Sequence, residues 1–551
     1  MDEFRFAGPV DGSSMRTKLV SLAMCLGFAV IAAKAGLVAM TGSEGGTGVS
    51  HAFEEPVRRA DIVDRHGELL ATSVAVYSLF ADPRAIWDPA EVANGLAGVL
   101  PDIDVEELTA DLSDRDRAFV WVRRGLTPRQ RRAVFELGLE GLGFREESRR
   151  AYPRGTLAGH LLGYANTDGQ GLSGVEYSMD TDLADGGDPL KLTVDSNVQF
   201  ALEAELSAAA GEYEAEGAAG IVLNARNGEV LGLASWPPVD PNRAHELDRN
   251  DPAKLNRAAG AVFELGSVFK PITVAAGLDT GAIRPSDRFD VREPVVISGR
   301  TITDTHAIDG PATPSTIVSE SSNIGTVKIS IMLGARRQQE MLANLGLFDR
   351  SPIELADSAA PILPQQFDDI HSATVSYGHG IAVSPIAFAS AFSVFANGGE
   401  VVDPTLVLDR KRQRSRRVIS APTAALVTQM LRETVLTGTG EHAAVAGYRV
   451  AGKTGTAEKP VPGGYSDDAN MASFAAIFPA DSPDYVVLIV LDDPKEGEGR
   501  GRTAAWNAAP TAGRVIERIA PMLGVEPKFE DLGRGRQAPM VRSVSERRSS
   551  L

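Results

Sequence analysis

Cysteine is almost missing from this chain: Cys25 is the single one in 551 residues. An intrachain disulfide is therefore excluded, and so is any metal cluster built on cysteine. Histidine is scarce too, with 8 residues and no H-E-x-x-H or comparable ligand spacing, so metal catalysis is not indicated and no cofactor is expected. Positive charge is in deficit, 55 lysines and arginines against 73 acids, for a net charge of -18. A nucleic-acid binder usually carries a basic footprint, so that class is set aside.

What is present is length and apolar content. At 551 residues and 43% hydrophobic composition the chain is expected to hold several domains with substantial cores. Cores of that size need no staples, so an extracytoplasmic location is compatible with the lack of disulfides. The stretch from Leu19 to Met40 is apolar throughout except for Lys34. About 20 apolar residues span a bilayer, and a lysine near one end can reach the interface. Arg5, Arg16 and Lys18 precede it, and no further lysine or arginine follows until Arg58 and Arg59, which puts the N-terminus in the cytoplasm and the rest outside. Two rival readings exist: a removable signal peptide ending near Ala33, Lys34 and Ala35, and a lipidation box at Leu22 to Cys25, where Met24 is too large. The anchor is the expectation, with a short flexible link from Thr41 to Gly48 behind it.

Chemistry concentrates later. The stretch Phe263 to Pro271 reads FELGSVFKP and places Ser267 at the head of an apolar run, with Lys270 one helical turn on. A serine hydroxyl needs a base beside it, and a lysine serves only if burial or a nearby cation keeps it neutral. Alone, the pair reads as a helix cap with a surface lysine. Two further segments follow in order: Ser321, Ser322 and Asn323 in SESSNIG, then Lys453, Thr454, Gly455 and Thr456 in AGKTGTAE.

An active serine with its lysine, then S-x-N, then K-T-G, is the signature of penicillin-binding proteins and serine β-lactamases, and the chain resembles that superfamily. RRADIVDRHGELLA, Arg58 to Ala71, reads by itself as a hairpin turning at His66 and Gly67, with Asp64 and Arg65 a solvated ion pair. It is similar to the opening of class B penicillin-binding proteins, with Ala60 where that pattern has glycine. Residues Glu91 to Leu137 read as solvated helices without chemistry. Phe144 to Asp180, carrying Arg149, Arg150, Tyr152, Pro153, His160, Gly163 and Glu176, resembles the non-catalytic pedestal of the division-specific members. Its lone histidine reads as a structural, hydrogen-bonded residue. Thr193, Asp195 and Gln199 resemble the entry into the catalytic domain, followed by a hairpin turning at Asn227 and Gly228. SYGHGIAVSP, ending at Pro385, is likewise familiar from the family. K-T-G reads as an edge strand with Met471 to Pro479 and Asp484 to Leu491 as partners, before a final helix over Thr503 to Met522.

The resemblance implies an α/β (α+β) transpeptidase domain, a mixed, antiparallel-centred sheet with helices on both faces. An elongated pedestal and one transmembrane helix complete the expected chain. Its division is a cytoplasmic N-terminus at 1–18, an anchor at 19–41, the pedestal at 42–205, the catalytic domain at 206–525 and a disordered basic tail at 526–551. It further implies that Ser267 attacks a D-alanyl-D-alanine stem peptide with Lys270 as base, that Ser321 passes a proton to the leaving nitrogen, and that Lys453 keeps the potential positive. Asn323, Thr454, Gly455 and Thr456 would bind substrate, with the backbone N–H groups of Ser267 and Thr456 as the oxyanion hole. Expected partners are stem peptides, β-lactams and membrane division proteins, including a glycosyltransferase, at the inner membrane during septal synthesis. Rivals are an elongation-type transpeptidase, a β-lactamase, a β-lactam sensor and a catalytically idle division scaffold.

Overall fold

The computed structural model describes residues 13–41, 58–409, 415–461, 464–496 and 501–529. The chain divides into two compact units, 1–56 and 57–551. The first is the helix Ser13–Thr41. Among the described residues no helix is long and apolar enough to cross a membrane. Its side chains are described from Lys18 to Lys34 and are exposed. The anchor expected over 19–41 lies within the helix Ser13–Thr41. The rest of the link expected behind Thr41 lies outside the described residues.

The second unit begins with a sheet built around β2 (Leu69–Ala81), which pairs antiparallel with β1 (Ile62–Val63), β3 (Val120–Leu126) and β4 (Leu142–Ala151). β5 (Leu190–Lys191) joins parallel to β1. The β1–β2 turn falls at His66 and Gly67 as expected, with Gly67 at φ +87°, where a side chain would be strained. The ion pair read between Asp64 and Arg65 is not there. Asp64 is buried and accepts from the N–H groups of His66, Glu68 and Ser196 at 2.8, 2.9 and 3.1 Å. Burial pushes its carboxyl up, but these hydrogen bonds outweigh it and hold the group below its ordinary range. Arg65 pairs with Glu229 instead, at 3.1 Å. Helices Pro89–Ala97, Val105–Ser113 and Pro128–Glu136 are capped by Asp88, Asp104 and Thr127.

At the Ser73 end of β2, away from these helices, lies a buried ion cluster. Glu176, fully buried, accepts from Arg59 Nε and Arg150 Nε, each at 2.6 Å, and from the Tyr152 hydroxyl at 3.3 Å. Two guanidiniums share one carboxylate, and Arg59 reaches Asp180 as well. His160 is structural, as expected, its Nε2 lying 2.7 Å from the Ala253 carbonyl. Burial pushes it down to about 4, so it stays neutral.

Thr193, Asp195 and Gln199 fasten the entry helix Ser196–Glu212. Asp195 caps it through the N–H groups of Asn197 and Val198. The Gln199 carboxamide makes two hydrogen bonds with the Leu233 backbone, at 2.8 and 2.9 Å, as a neighbouring strand would. The second sheet follows: β6 (Gly217–Asn224), β7 (Val230–Trp236), and, after the short hairpins β8 (Val295–Ile297) with β9 (Arg300–Ile302) and β10 (Glu400–Val402) with β11 (Ser415–Arg417), the meander β12 (Ala451–Val461), β13 (Gly464–Phe478) and β14 (Tyr485–Asp492). The order is β12-β13-β14-β6-β7, antiparallel throughout. The mixed sheet expected here is thus corrected: close turns within β6–β7 and within β12–β14 can only join antiparallel neighbours.

Both faces of the sheet are buried. Val486, Leu488 and Val490 of β14 enter one core, and Val487, Ile489 and Leu491 the other. The entry helix and the C-terminal helix Ala508–Ile519 cover one face; helices Lys270–Asp279, Pro385–Phe392 and Ala421–Leu436 contribute to the core on the other. Helices on both faces were expected; the final helix is shorter than 503–522. The tail expected from 526 begins with held residues: Lys528 donates to the Gly447 carbonyl at 2.6 Å and pairs with Asp481. Residues beyond 529 lie outside the described ones.

Glu176→Ala would leave two buried guanidiniums without their shared anion, a loss of about 3–5 kcal/mol. Denaturant unfolding of the N-terminal domain should show it, and an unchanged midpoint would mean Asp180 suffices.

Candidate active site

Ser267 lies in a single turn of tight helix, Gly266–Phe269, that runs directly into helix Lys270–Asp279. The first N–H groups of such a helix have no intrahelical partner, and that of Ser267 is one of them. Gly266 stands at φ +62°, and a side chain there would meet the Thr456 carbonyl at 2.7 Å. Gly378, in SYGHG, supports the same turn: a Cβ on it would fall 2.1 Å from the Gly266 carbonyl. Only glycine allows these approaches.

Lys270 is buried, and its Nζ donates to the hydroxyl of Ser321 at 3.0 Å and to the Ser321 carbonyl. Among the described residues no hydrogen bond joins Nζ to Ser267. Ser321 takes a left-handed backbone, φ +63°, which turns both of its oxygens toward one ammonium. Burial, then the charge of Lys453, pushes Lys270 well below the ordinary lysine range, against the pull of Asp304. A neutral amine, the form a base needs, is thereby favoured.

Ser322 caps helix Asn323–Leu333 through the Gly325 N–H, and Asn323 donates its carboxamide N–H to the Thr303 carbonyl at 2.9 Å. On β12, Lys453 is fully buried, donating to the Thr454 carbonyl at 3.1 Å and hydroxyl at 3.3 Å. Burial pushes it down to about 7, opposed by Glu320. Thr454 shares a 2.8 Å hydrogen bond with Thr439, and the Thr456 hydroxyl accepts from the Ala504 N–H at 3.2 Å.

β12 pairs only with β13 and so is the sheet's edge, as expected. On an antiparallel edge, residues outside the hydrogen-bonded pairs turn both N–H and C=O away from the sheet. The Thr456 carbonyl faces Gly266, so the Thr456 N–H faces the same side, beside Ser267. Gly455 lets the strand come close: a Cβ would sit 2.2 Å from the Leu265 carbonyl and 2.4 Å from Ser473 Oγ. Ser267, Lys270, Ser321 and K-T-G therefore meet, with both lysines buried and the charge of Lys453 acting on Lys270.

Sequence reasoning passed over Asp304, Glu320, Thr439 and the cluster of Glu264, Tyr465 and His379. Glu264 is buried, raised by burial, and accepts from the Tyr465 hydroxyl at 3.1 Å. His379 lies 6.2 Å from the Tyr465 ring and is held neutral by burial, at about 4. No spacing linked these residues to the motifs; adjacency of Glu264 and Glu320 to the motif serines was the only available signal.

A serine at a helix head, a desolvated lysine one turn on and a second lysine on an edge strand fit the class of penicillin-binding serine acyl-transferases. The description "Penicillin binding protein transpeptidase domain" matches residues 218–514 and "Penicillin-binding Protein dimerisation domain" residues 54–196. The chain belongs to the class B penicillin-binding proteins. It is 42% identical over 544 residues to the probable peptidoglycan D,D-transpeptidase FtsI of Caulobacter vibrioides, covering 95% of this chain and 91% of that one. It is 29% identical to the peptidoglycan D,D-transpeptidase FtsI of Escherichia coli strain K12, covering 85% and 84%. Penicillin binding protein 3 from Mycobacterium tuberculosis, complexed with aztreonam, superimposes with a TM-score of 0.69 at 27% identity, covering 86% of this chain and 97% of that one.

Gly455→Ala should push β12 off the Ser267 turn. A shift of about 1 Å can cost ~100-fold in rate, so penicillin labelling should drop by that order while circular dichroism stays native; wild-type labelling would show that the strand can yield. Lys270→Met should abolish labelling and leave the thermal midpoint equal or higher, because a buried amine is replaced by an apolar chain of similar shape. A lower midpoint would mean that its bonds to Ser321 outweigh its desolvation.

Proposed function

We propose that this protein is a membrane-anchored peptidoglycan D,D-transpeptidase of the division septum, cross-linking stem peptides through a Ser267 acyl-enzyme. The observation that carries the reading is the buried, charge-depressed Lys270 one turn from Ser267 and bonded to Ser321. Ser267 attacks the carbonyl between the terminal D-alanines, and its proton passes to the neutral Lys270. The N–H groups of Ser267 and Thr456 hold the oxyanion, where one donor is worth about 10²- to 10³-fold. Ser321, on the Lys270 amine, returns the proton to the leaving D-alanine nitrogen. Lys453, when charged, and the hydroxyls of Thr454 and Thr456 hold the terminal carboxylate, while Asn323 binds the peptide backbone. The amine of a second stem peptide then takes the acyl group, and a β-lactam, which resembles the donor, stays bound to Ser267.

The septal role rests on the similarity to the FtsI proteins of Caulobacter vibrioides and Escherichia coli. The anchor rests on the apolar run from Leu19 with its preceding basic residues. It places the N-terminus in the cytoplasm and the catalytic domain, with boundaries near 206 and 525, outside the inner membrane. Partners there are other division proteins, a glycosyltransferase among them.

Labelled penicillin tests the chemistry: the wild-type chain should retain it covalently and Ser267→Ala should not, and label surviving that change removes the nucleophile. In cells, a fluorescent fusion should gather at midcell; a side-wall pattern favours the elongation role. Recovery of Met1 to Lys18 on the mature membrane-bound protein would establish the uncleaved anchor, and their loss would defeat it.

A further inference from the structure

One carboxylate near the S-x-N turn has no place in that mechanism. Asp304 follows β9 and lies over the start of helix Asn323–Leu333. Its carboxylate accepts from the Ser322 hydroxyl at 2.7 Å through one oxygen and from the Ile324 N–H at 2.9 Å through the other. The neighbouring Thr303 carbonyl takes the Asn323 carboxamide N–H at 2.9 Å. Two consecutive residues of an outer segment thus hold two consecutive residues of S-x-N. The residue just before them, Ser321, has a left-handed backbone that serine adopts rarely, being neither glycine nor asparagine. In that conformation its hydroxyl and carbonyl both reach Lys270. Such a turn persists when its surroundings fix it.

We infer that Asp304 is a positioning residue for acylation: with Thr303 it straps the Ser321–Asn323 turn so that Ser321 stays on Lys270 and the Asn323 carboxamide oxygen is left for substrate. The inference rests on the reading of Ser267 and Lys270 as nucleophile and base. It assigns Asp304 no contact with substrate.

The strap also carries charge. Lys270 is faced by Ser321, by Lys453 from β12, by His379, which is neutral, and by Asp304. Lys453 disfavours the ammonium and Asp304 favours it. Acylation needs the neutral amine, so the rate rises with pH through the titration of Lys270. Taking away the Asp304 charge lets Lys270 lose its proton at lower pH, and the acid limb moves down.

The test uses the full chain in detergent and the second-order rate of labelling by a fluorescent penicillin between about pH 5 and 9, alongside Ser267→Ala and thermal unfolding. Asp304→Ala should slow labelling at neutral pH by about 10- to 100-fold. Asp304→Asn keeps an acceptor for the Ile324 N–H; it should recover most of that loss and shift the acid limb downward by roughly 1 pH unit. A merely structural cap would be restored by asparagine with the limb unmoved, and that result overturns the inference, as do wild-type rates in both variants. Should Asp304→Ala not fold, the limb of Asp304→Asn decides alone. Label on Ser267→Ala would remove the underlying reading instead, a separate outcome seen in the control.

Discussion

Two lysine side chains buried within reach of each other's charge cannot both be charged without large cost. At an effective dielectric of about 20, like unit charges 4 Å apart repel by about 4 kcal/mol, before either pays for leaving water. Much of the site can be traced to this constraint. Lys270 is pushed furthest, and its amine is received by the hydroxyl and carbonyl of a single residue, Ser321. Lys453 is pushed less and remains close to the point where it can hold a proton at neutral pH. Each has a carboxylate acting on it, Asp304 on Lys270 and Glu320 on Lys453, and neither carboxylate lies in ion-pair contact with its lysine. A direct contact would hold the base in its charged form; a more distant charge only moderates the shift.

The second constraint is an exposed sheet edge. Unpaired N–H and C=O groups on an edge strand invite association, and proteins usually blunt or cover them. Here β12 is covered by the turn that carries Ser267, and the contact is made backbone to backbone. That is why glycine recurs at 266, 378 and 455, each approached to within 2.7 Å of where a Cβ would lie. The same closeness sets the Thr456 N–H beside the nucleophile.

These features were unequally legible in the sequence. Ser267, Lys270, Ser321, Asn323 and K-T-G could be read because each sits in a short motif whose order has chemical meaning. The edge position of β12 and the hairpin at Asn227 and Gly228 were legible as well, one from the resemblance and the other from turn chemistry. The wholly antiparallel sheet was not, since strands buried on both faces, such as Tyr485–Asp492, read as continuous apolar runs whichever way they pair. Asp304 and Thr303 act across 20 residues of chain, and Thr439 across 15, with nothing in the intervening spacing to announce it. Asp64 misled for another reason: beside Arg65 it looks like half of a surface pair, and only the fold reveals that three backbone N–H groups converge on it.

Asp64 also bears on how the pedestal is tied to the catalytic sheet. It accepts from the Ser196 N–H, and His66 lies 3.0 Å from the Asp195 carboxylate, so the β1–β2 turn grips the first residues of the entry helix. One helical turn on, Gln199 is stitched to Leu233 of β7. β7 and β12 are opposite edges of the five-stranded sheet, and every strand between them is paired along its length and packed on both faces. A displacement at the pedestal junction therefore has no local hinge through which to reach K-T-G across this sheet. It would have to move the sheet as a body, or arrive by the helical side of the site, where Ser321 and its strap are held by side-chain hydrogen bonds rather than by a ladder.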